Sequence, residues 1–327
     1  MHAAALALFV ASAGCQSTYP KIGKIVRLDP RLDALVPPDA QIEKLAEGFR
    51  WAEGPLWMDD GGYLLFADIP NNVVHTWKEG EGVRVFLKPS GYTGSVMRGG
   101  SMGANGLLLD PQGQLVLLEH GDRRVTRLAE HGQKVTLADR YDGKRFNSPN
   151  DATFKSNGDL YFTDPTFGLR KRDKDPEREL DFNGVYRLAT DGKVTLLHKD
   201  MTSPNGVAFS PDEKTFYVAN DDPDEPIWKM FDVADDGTIH NGRVFFDASG
   251  MDKTLKGTPD GMKVDVHGNL FFAGPGGINI FTPAGEHLGR IDPGEETSNC
   301  AWGDDGSTLY MTAEMIICRI RLGTRGR

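Results

Sequence analysis

Six oxygen-bearing side chains recur at matching points along this 327-residue chain: Glu53, Asn105, Asn150, Asn205, Asp260 and Asn299. Each stands just before or within a short apolar stretch. Two carboxylates with several carboxamides, and no Cys or His among them, make a hard-oxygen set. Such a set suits Ca2+ and, less well, Mg2+ or Mn2+. Two carboxylates facing each other in a narrow tunnel would also raise one another's pKa unless a cation stood between them. A single Asn or Asp at such a position more often satisfies turn backbone. Six in register point instead to a metal site.

For that chemistry the six must meet, and a repeat supplies the means. From about Glu43 onward one phrase returns six times: an apolar strand, a turn with Asp, Asn or Gly, and a second apolar strand. Gly54-Pro55-Leu56-Trp57 leads to Leu64-Leu65-Phe66-Ala67-Asp68, and Asn150-Asp151-Ala152-Thr153-Phe154 leads to Leu160-Tyr161-Phe162-Thr163-Asp164. Turns such as Asp59-Asp60-Gly61-Gly62 and Lys155-Ser156-Asn157-Gly158 mark hairpins within each copy. The copies begin 39 to 55 residues apart, which brackets the length of a four-stranded propeller blade. No long stretch carries a 3.6-residue apolar period, so no helical second domain is expected. The fold class is therefore all-β, a single six-bladed β-propeller over residues 43–327 with a metal site on its axis. First strands of blades line the central channel, so the six oxygen-bearing positions become a ring. Residues 16–42 are expected to pack on the propeller or to close it. The polar interruption 170–179 reads as a solvated excursion of the third blade or as a lid.

Composition narrows the partners. A net charge of −10 repels phosphate backbones, so nucleic acid is not expected as a partner. The three cysteines, Cys15, Cys300 and Cys318, are too few and too scattered for a zinc motif or a disulfide framework. Cys300 and Cys318 are read either as a pair or as two separate buried thiols. The apolar opening Ala3–Gly14 is too short to span a bilayer and ends in small residues, which predicts an export signal over residues 1–15 and a periplasmic or otherwise exported protein. Ser12-Ala13-Gly14-Cys15 resembles a lipoprotein cleavage box, in which Cys15 would carry a lipid anchor. No Lys or Arg precedes the apolar run, and Ser12 stands where a Leu is usual, so a frayed cytosolic N-terminus is the alternative. No transmembrane segment is expected, and the oligomeric state, monomer or dimer, is left open.

Several motifs taken in order carry a family resemblance. Trp51-Ala52-Glu53-Gly54-Pro55-Leu56-Trp57, Asn147-Ser148-Pro149-Asn150-Asp151, Phe162-Thr163-Asp164-Pro165-Thr166-Phe167-Gly168-Leu169, Ser203-Pro204-Asn205-Gly206-Val207 and Thr258-Pro259-Asp260-Gly261-Met262 resemble the gluconolactonase branch of the senescence marker protein 30/gluconolactonase family. The likeness covers roughly residues 43–321. It implies a six-bladed propeller, a catalytic Ca2+ (with Zn2+, Mg2+ or Mn2+ as substitutes) and hydrolysis of sugar lactones such as D-glucono-1,5-lactone. Carried over by position, it implies Glu53, Asn150, Asn205 and Asp260 as metal ligands.

The chemistry of such a site polarises a lactone carbonyl and makes a neighbouring water more acidic. Asp260 is the first candidate for the base that takes the water proton, and Asp151 is its rival. Asp151 equally suits a role behind Asn150, anchoring its side chain. Asn105, Glu119, His120 and Arg123 are expected to contact the substrate. The second strands end in a further polar ring, Asp68, Glu119-His120, Asp164, Asn220 and Glu314, expected either to bind sugar hydroxyls or to tie the first ring in place. The chain has no Gly-x-Ser-x-Gly elbow and no Gly-rich phosphate loop. Two other readings compete with a sugar lactonase. One is a phosphotriesterase-like hydrolase on the same site, which predicts an apolar pocket; the other is a non-enzymatic binding propeller stabilised by its metal.

Overall fold

In a computed structural model, which describes residues 19–96 and 100–326, the six phrases become six antiparallel sheets. The first blade is Ala52–Met58, Tyr63–Asp68, Val73–Lys78 and Gly82–Leu87. The second is Ala104–Leu109, Leu115–Glu119, Arg124–Leu128 and Lys134–Ala138. Ala152–Phe154, Leu160–Asp164, Gly184–Leu188 and Val194–His198 form the third. Pro204–Phe209, Thr215–Asn220, Ile227–Val233 and Ile239–Asp247 form the fourth. The fifth has Met262–Val264, Leu270–Gly274, Gly277–Phe281 and His287–Asp292. The C-terminal part of the chain supplies only three strands of the sixth, Thr297–Gly303, Thr308–Ala313 and Ile316–Arg321.

The N-terminal segment completes the ring. Ile42–Glu47 pairs antiparallel with Ile316–Arg321, with Ile316 opposite Glu47, and becomes the fourth strand of the sixth blade. Lys21–Ile22 adds beyond it, while Lys24–Arg27 adds to the outer edge of the fifth blade against His287–Asp292. The ring is thus closed within the sixth blade, one sheet that combines N-terminal and C-terminal strands. Residues 1–15, with the expected signal and Cys15, lie outside the described residues. Among the described residues, no helix is long and apolar enough to cross a membrane.

The strands owe their burial to their place in the blade. Leu160–Asp164 is buried throughout because neighbouring blades cover both of its faces, so it reads as a continuous apolar run and not as an alternation. The outer strand Gly82–Leu87 is mostly exposed, as an edge must be. Apolar side chains fill the wedges between blades. Tyr161, Val185, Val207, Phe216 and Phe231 join the third and fourth blades, and Trp57 stacks on Tyr310 at 5.0 Å between the first and sixth. Burying a large side chain of this kind is worth about 1.5–3 kcal/mol. Cys300 and Cys318 are both buried, free thiols. Each lies opposite Met311 on either side of one strand, so they stand two strands apart, about 10 Å, beyond disulfide reach.

Close blade approach at the axis depends on a glycine after four of the six ring residues. Gly54 adopts φ 53°, and a Cβ there would come within 2.1 Å of the Asn105 carbonyl oxygen. At Gly206 it would come within 2.3 Å of the Asp260 carbonyl oxygen. Gly106 and Gly261 likewise face the next ring residues, Asn150 and Asn299. The strand register also slips between Glu53 and Leu56, Ala104 and Leu107, and Pro204 and Val207. Such bulges re-aim side chains. Here they fall where the ring side chains leave the strand.

Candidate active site on the propeller axis

A cavity of about 340 Å3 opens at one end of the axis. Glu53, Asn105, Asn150, Asn205 and Asp260 line it, together with His120 and Asp221. The five ring residues come from the starts of the first five blades, so the repeat gathers them from positions far apart in sequence. All are buried, with exposures between 1% and 9%.

Hydrogen bonding separates these residues. Neither the Oδ1 nor the Nδ2 of Asn150 has a partner among the described residues, and neither does Asp260 Oδ1. Buried polar atoms without partners are rare, and each usually marks a site for water, an ion or a ligand. Asn205 is turned by Asp221, whose Oδ2 accepts its Nδ2 at 3.2 Å, leaving its carbonyl oxygen free of that contact. Asp221 also accepts the Thr258 hydroxyl. Glu53 Oε2 accepts the Gly54 amide and Asn299 Nδ2, the latter at 3.2 Å.

Burial and mutual repulsion of its carboxylates set the electrostatics of the site. Burial, then the charge of Asp151, pushes Glu53 above the usual carboxylate range. Burial, then the charge of Glu53, does the same to Asp260. A divalent cation among these oxygens would reverse both effects, because an opposite charge at close range favours the ionised form. The donor set fits such a cation: two carboxylates and two carboxamides, all oxygen donors, with unpartnered atoms at Asn150 and Asp260. Among the described residues, no group of three or more His, Cys, Asp or Glu side chains is placed to hold a metal. Any cation here would depend on the carboxamides.

Other sequence expectations divide. His120 lines the cavity, with Nε2 3.4 Å from Asn105 Nδ2. Burial, then the nearby Arg172 charge, lowers its pKa to about 3, so it is neutral at ordinary pH. Asp151 takes a position away from this cavity. It lies on the opposite side of the ring, lining a second opening with Lys263 and Asn299. Its Oδ1 accepts the Ala152 amide at 2.8 Å, and Asn299 Nδ2 lies 3.5 Å from its Oδ2. That placement fits the role behind Asn150 better than that of a base facing substrate.

Glu119 and Arg123 are corrections. Glu119 is fully buried and engaged by Arg124 Nε at 2.6 Å, Lys134 Nζ at 2.7 Å and Thr126 Oγ1 at 2.9 Å, so it stitches the strands of the second blade. Arg123 is 1% exposed and donates to the carbonyls of Phe146 at 2.7 Å and Glu177 at 2.8 Å. Neither lines the cavity. Of the two roles open to the second polar ring, most members tie the first in place. Asp164 accepts the amides of Asn147 at 2.8 Å and Ser148 at 2.7 Å, just ahead of Asn150. Asn220 accepts Ser203 N at 2.9 Å ahead of Asn205.

Gly100 and Ser101 line the cavity as well, and Arg50, Trp51, Ile69, Pro70, Phe167 and Arg172 complete the rim; sequence reasoning missed the part of these six. Trp51 and Phe167 sat inside the quoted motifs but carried no repeat signal of their own. Asp221 directly follows Asn220, so its place at the end of a second strand was available as a clue.

A closed six-bladed propeller with an oxygen-lined axial cavity is a class in which identity lies in the site. Residues 51–315 match the SMP-30/Gluconolactonase/LRE-like region, and the chain belongs to that family. It is 41% identical over 313 residues to a gluconolactonase of Zymomonas mobilis, covering 93% of this chain and 88% of that protein. The structure of a gluconolactonase from Xanthomonas campestris superposes with a TM-score of 0.81 at 34% identity, over 93% of this chain and 97% of that one. A diisopropyl-fluorophosphatase of Loligo vulgaris is 26% identical over 289 residues, covering 82% of this chain and 87% of that protein.

Proposed function

We propose that this protein is a Ca2+-dependent lactonase that opens a sugar lactone of the D-glucono-1,5-lactone kind to its acid, with Glu53, Asn150, Asn205 and Asp260 holding the metal. The observation that carries the reading is the convergence of unpartnered buried oxygens at Asn150 and Asp260 on the cavity that Glu53 and Asn205 also line. The likeness to two gluconolactonases over nearly the whole chain supports the substrate class. When bound, the cation supplies Lewis acidity, polarising the lactone carbonyl, stabilising the charge that develops on its oxygen and acidifying water.

The chain's own residues do the rest. Asp221 fixes the Asn205 amide, and Asn299 fixes Glu53, so neither must reorient during turnover. Asp260 has an oxygen without a partner on the cavity side and accepts the proton of the attacking water. Neutral His120 and Asn105, adjacent on the cavity wall, offer a donor and acceptor pair to substrate hydroxyls. Trp51 and Phe167 give the ring an apolar surface.

That same apolar rim, with Ile69 and Pro70, favours a second reading, a phosphotriesterase-like hydrolase, and the likeness to the Loligo vulgaris protein supports it. Purified protein is assayed on glucono-1,5-lactone and on a phosphotriester before and after chelation, with Ca2+, Zn2+ and Mg2+ added back. Hydrolysis of the lactone, lost on chelation and restored best by Ca2+, is the expected result. Activity indifferent to chelation would sink the metal mechanism, and metal binding without hydrolysis of either compound would make the protein a binding propeller. We also propose export with lipidation at Cys15; the mass of the mature N-terminus in its native host checks it.

A further inference from the structure

The cavity is layered in charge. Its floor is acidic, with Glu53, Asp260 and Asp221, whereas its rim carries Arg50 from the first blade and Arg172 from the third. Arg172 stands out for how it is held. Its guanidinium lies 4.7 Å above the centre of the Phe167 ring, another rim residue. Among the described residues the guanidinium forms no ion pair and no hydrogen bond, in a chain whose acids outnumber its bases by 10.

The backbone is built to hold it there. Arg172 adopts φ 49°, a left-handed conformation that costs a side-chain-bearing residue about 1 kcal/mol or more. The turn is pinned around it. Asp175 Oδ2 accepts Lys171 N and its Oδ1 accepts Glu177 N, each at 2.9 Å, while Thr166 Oγ1 donates to Asp173 at 3.0 Å. Leu169 is buried just before it, and Arg123 clamps the Glu177 carbonyl after it. The charged excursion 170–179 is therefore an ordered brace that sets one guanidinium over the cavity. The Arg172 charge reaches Asp221, but Asp221 takes its hydrogen bonds from Asn205 and Thr258, so the guanidinium donors are not spent on it.

A guanidinium stacked on an aromatic ring, with its donors open, matches a carboxylate or phosphate in a fixed fork geometry. The acid released at the floor does not require a second cationic site at the rim. We propose that Arg172, assisted by Arg50, makes this site selective for lactones bearing a second, anionic group, carboxylate or phosphate, at the end remote from the carbonyl. This rests on the lactonase reading above.

The test compares the full Ca2+-loaded protein on neutral D-glucono-1,5-lactone, its 6-phosphate ester and a glucaric acid lactone. Wild type is expected to favour at least one anionic substrate in kcat/KM, and the one preferred identifies the group. In R172A that preference falls about 10-fold to 100-fold, the worth of a charge-assisted hydrogen bond, through KM. R172K keeps part of it, and about 0.5 M salt weakens it in wild type. A wild-type preference for the neutral lactone, or an anionic preference that R172A leaves intact, overturns the proposal. If no lactone is hydrolysed, the lactonase reading has failed, and calorimetry with D-gluconate, D-glucarate and 6-phosphogluconate decides the anion site separately. Tighter binding of D-glucarate or of 6-phosphogluconate than of D-gluconate, lost in R172A, upholds it; equal binding of all three, or a difference that survives R172A, removes it.

Discussion

Two polar rings circle this propeller, built from the same residue types at the same period, and they differ in how their bonds are spent. The ring at the starts of the first strands leaves atoms of Asn150 and Asp260 without partners. In the ring at the ends of the second strands most bonds are spent within the fold: Asp164 takes two amides, Asn220 a third, and Glu119 an arginine, a lysine and a threonine, while His120 Nδ1 has no partner among the described residues. Burying a polar group costs free energy unless it is bonded, so the bonded members of this second ring stabilise the fold. The unsaturated one is held in place by that fold and left able to bind something else. Residue type alone does not separate the two roles.

The sharpest way to break the comparison is to change one member of each ring. D260N should lower kcat/KM for lactone by about 1,000-fold, within the range for loss of a general base, as steady-state kinetics would show. Without metal, the same variant should unfold at no lower a denaturant concentration than wild type, because it removes a buried like charge facing Glu53. D164A should do the reverse. It leaves the Asn147 and Ser148 amides unsatisfied and should cost about 3 kcal/mol in equilibrium unfolding, with metal affinity of the folded fraction largely kept. Glu119 tests a member that sequence had placed among the substrate contacts. E119Q should cost about 2 kcal/mol by weakening the bonds to Arg124 and Lys134, with KM within about twofold of wild type.

The most gradual effect belongs to His120, the member of the second ring that reaches Asn105 of the first. Its folded pKa of about 3 is depressed below the unfolded value near 6.5, so the stability tied to its neutral form is present above pH 6.5. It is lost as pH falls below that value, at up to about 1.4 kcal/mol per pH unit. H120N should flatten the acid side of the stability profile by up to one proton. A wild-type profile with no such difference from H120N between pH 6.5 and 5 would show that His120 takes a proton in the folded state.

Much of the architecture was legible because it repeats. Six strand-turn-strand phrases imply six blades, and Glu53, Asn105, Asn150, Asn205 and Asp260 fall on one cavity for the reason their spacing suggested. Arg123 and Glu119 misled because a charged side chain beside a candidate site looks the same in sequence whether it turns to solvent or to a carbonyl. The partners that claimed them, Phe146 O and Lys134, come from a loop and an outer strand that no periodicity connects to them. Arg172 was hidden for a related reason. It lies in the stretch of highest charge, where nothing local marks one arginine as stacked on Phe167 and its neighbours as solvated.

The sequence by itself determined the blade count, the ring of oxygen-bearing residues and the glycines that follow four of them, since each is a property of a local phrase copied around an axis. Only the tertiary structure decided which ring atoms stay unpaired, that Asp151 faces the opposite opening from Asp260, and that the N-terminal strand Ile42–Glu47 completes the last blade. Those outcomes depend on register slips and on contacts between blades far apart in the chain. A single-residue bulge turns a side chain to the other face at little local cost, and no window of sequence contains the partner that makes one face the better one.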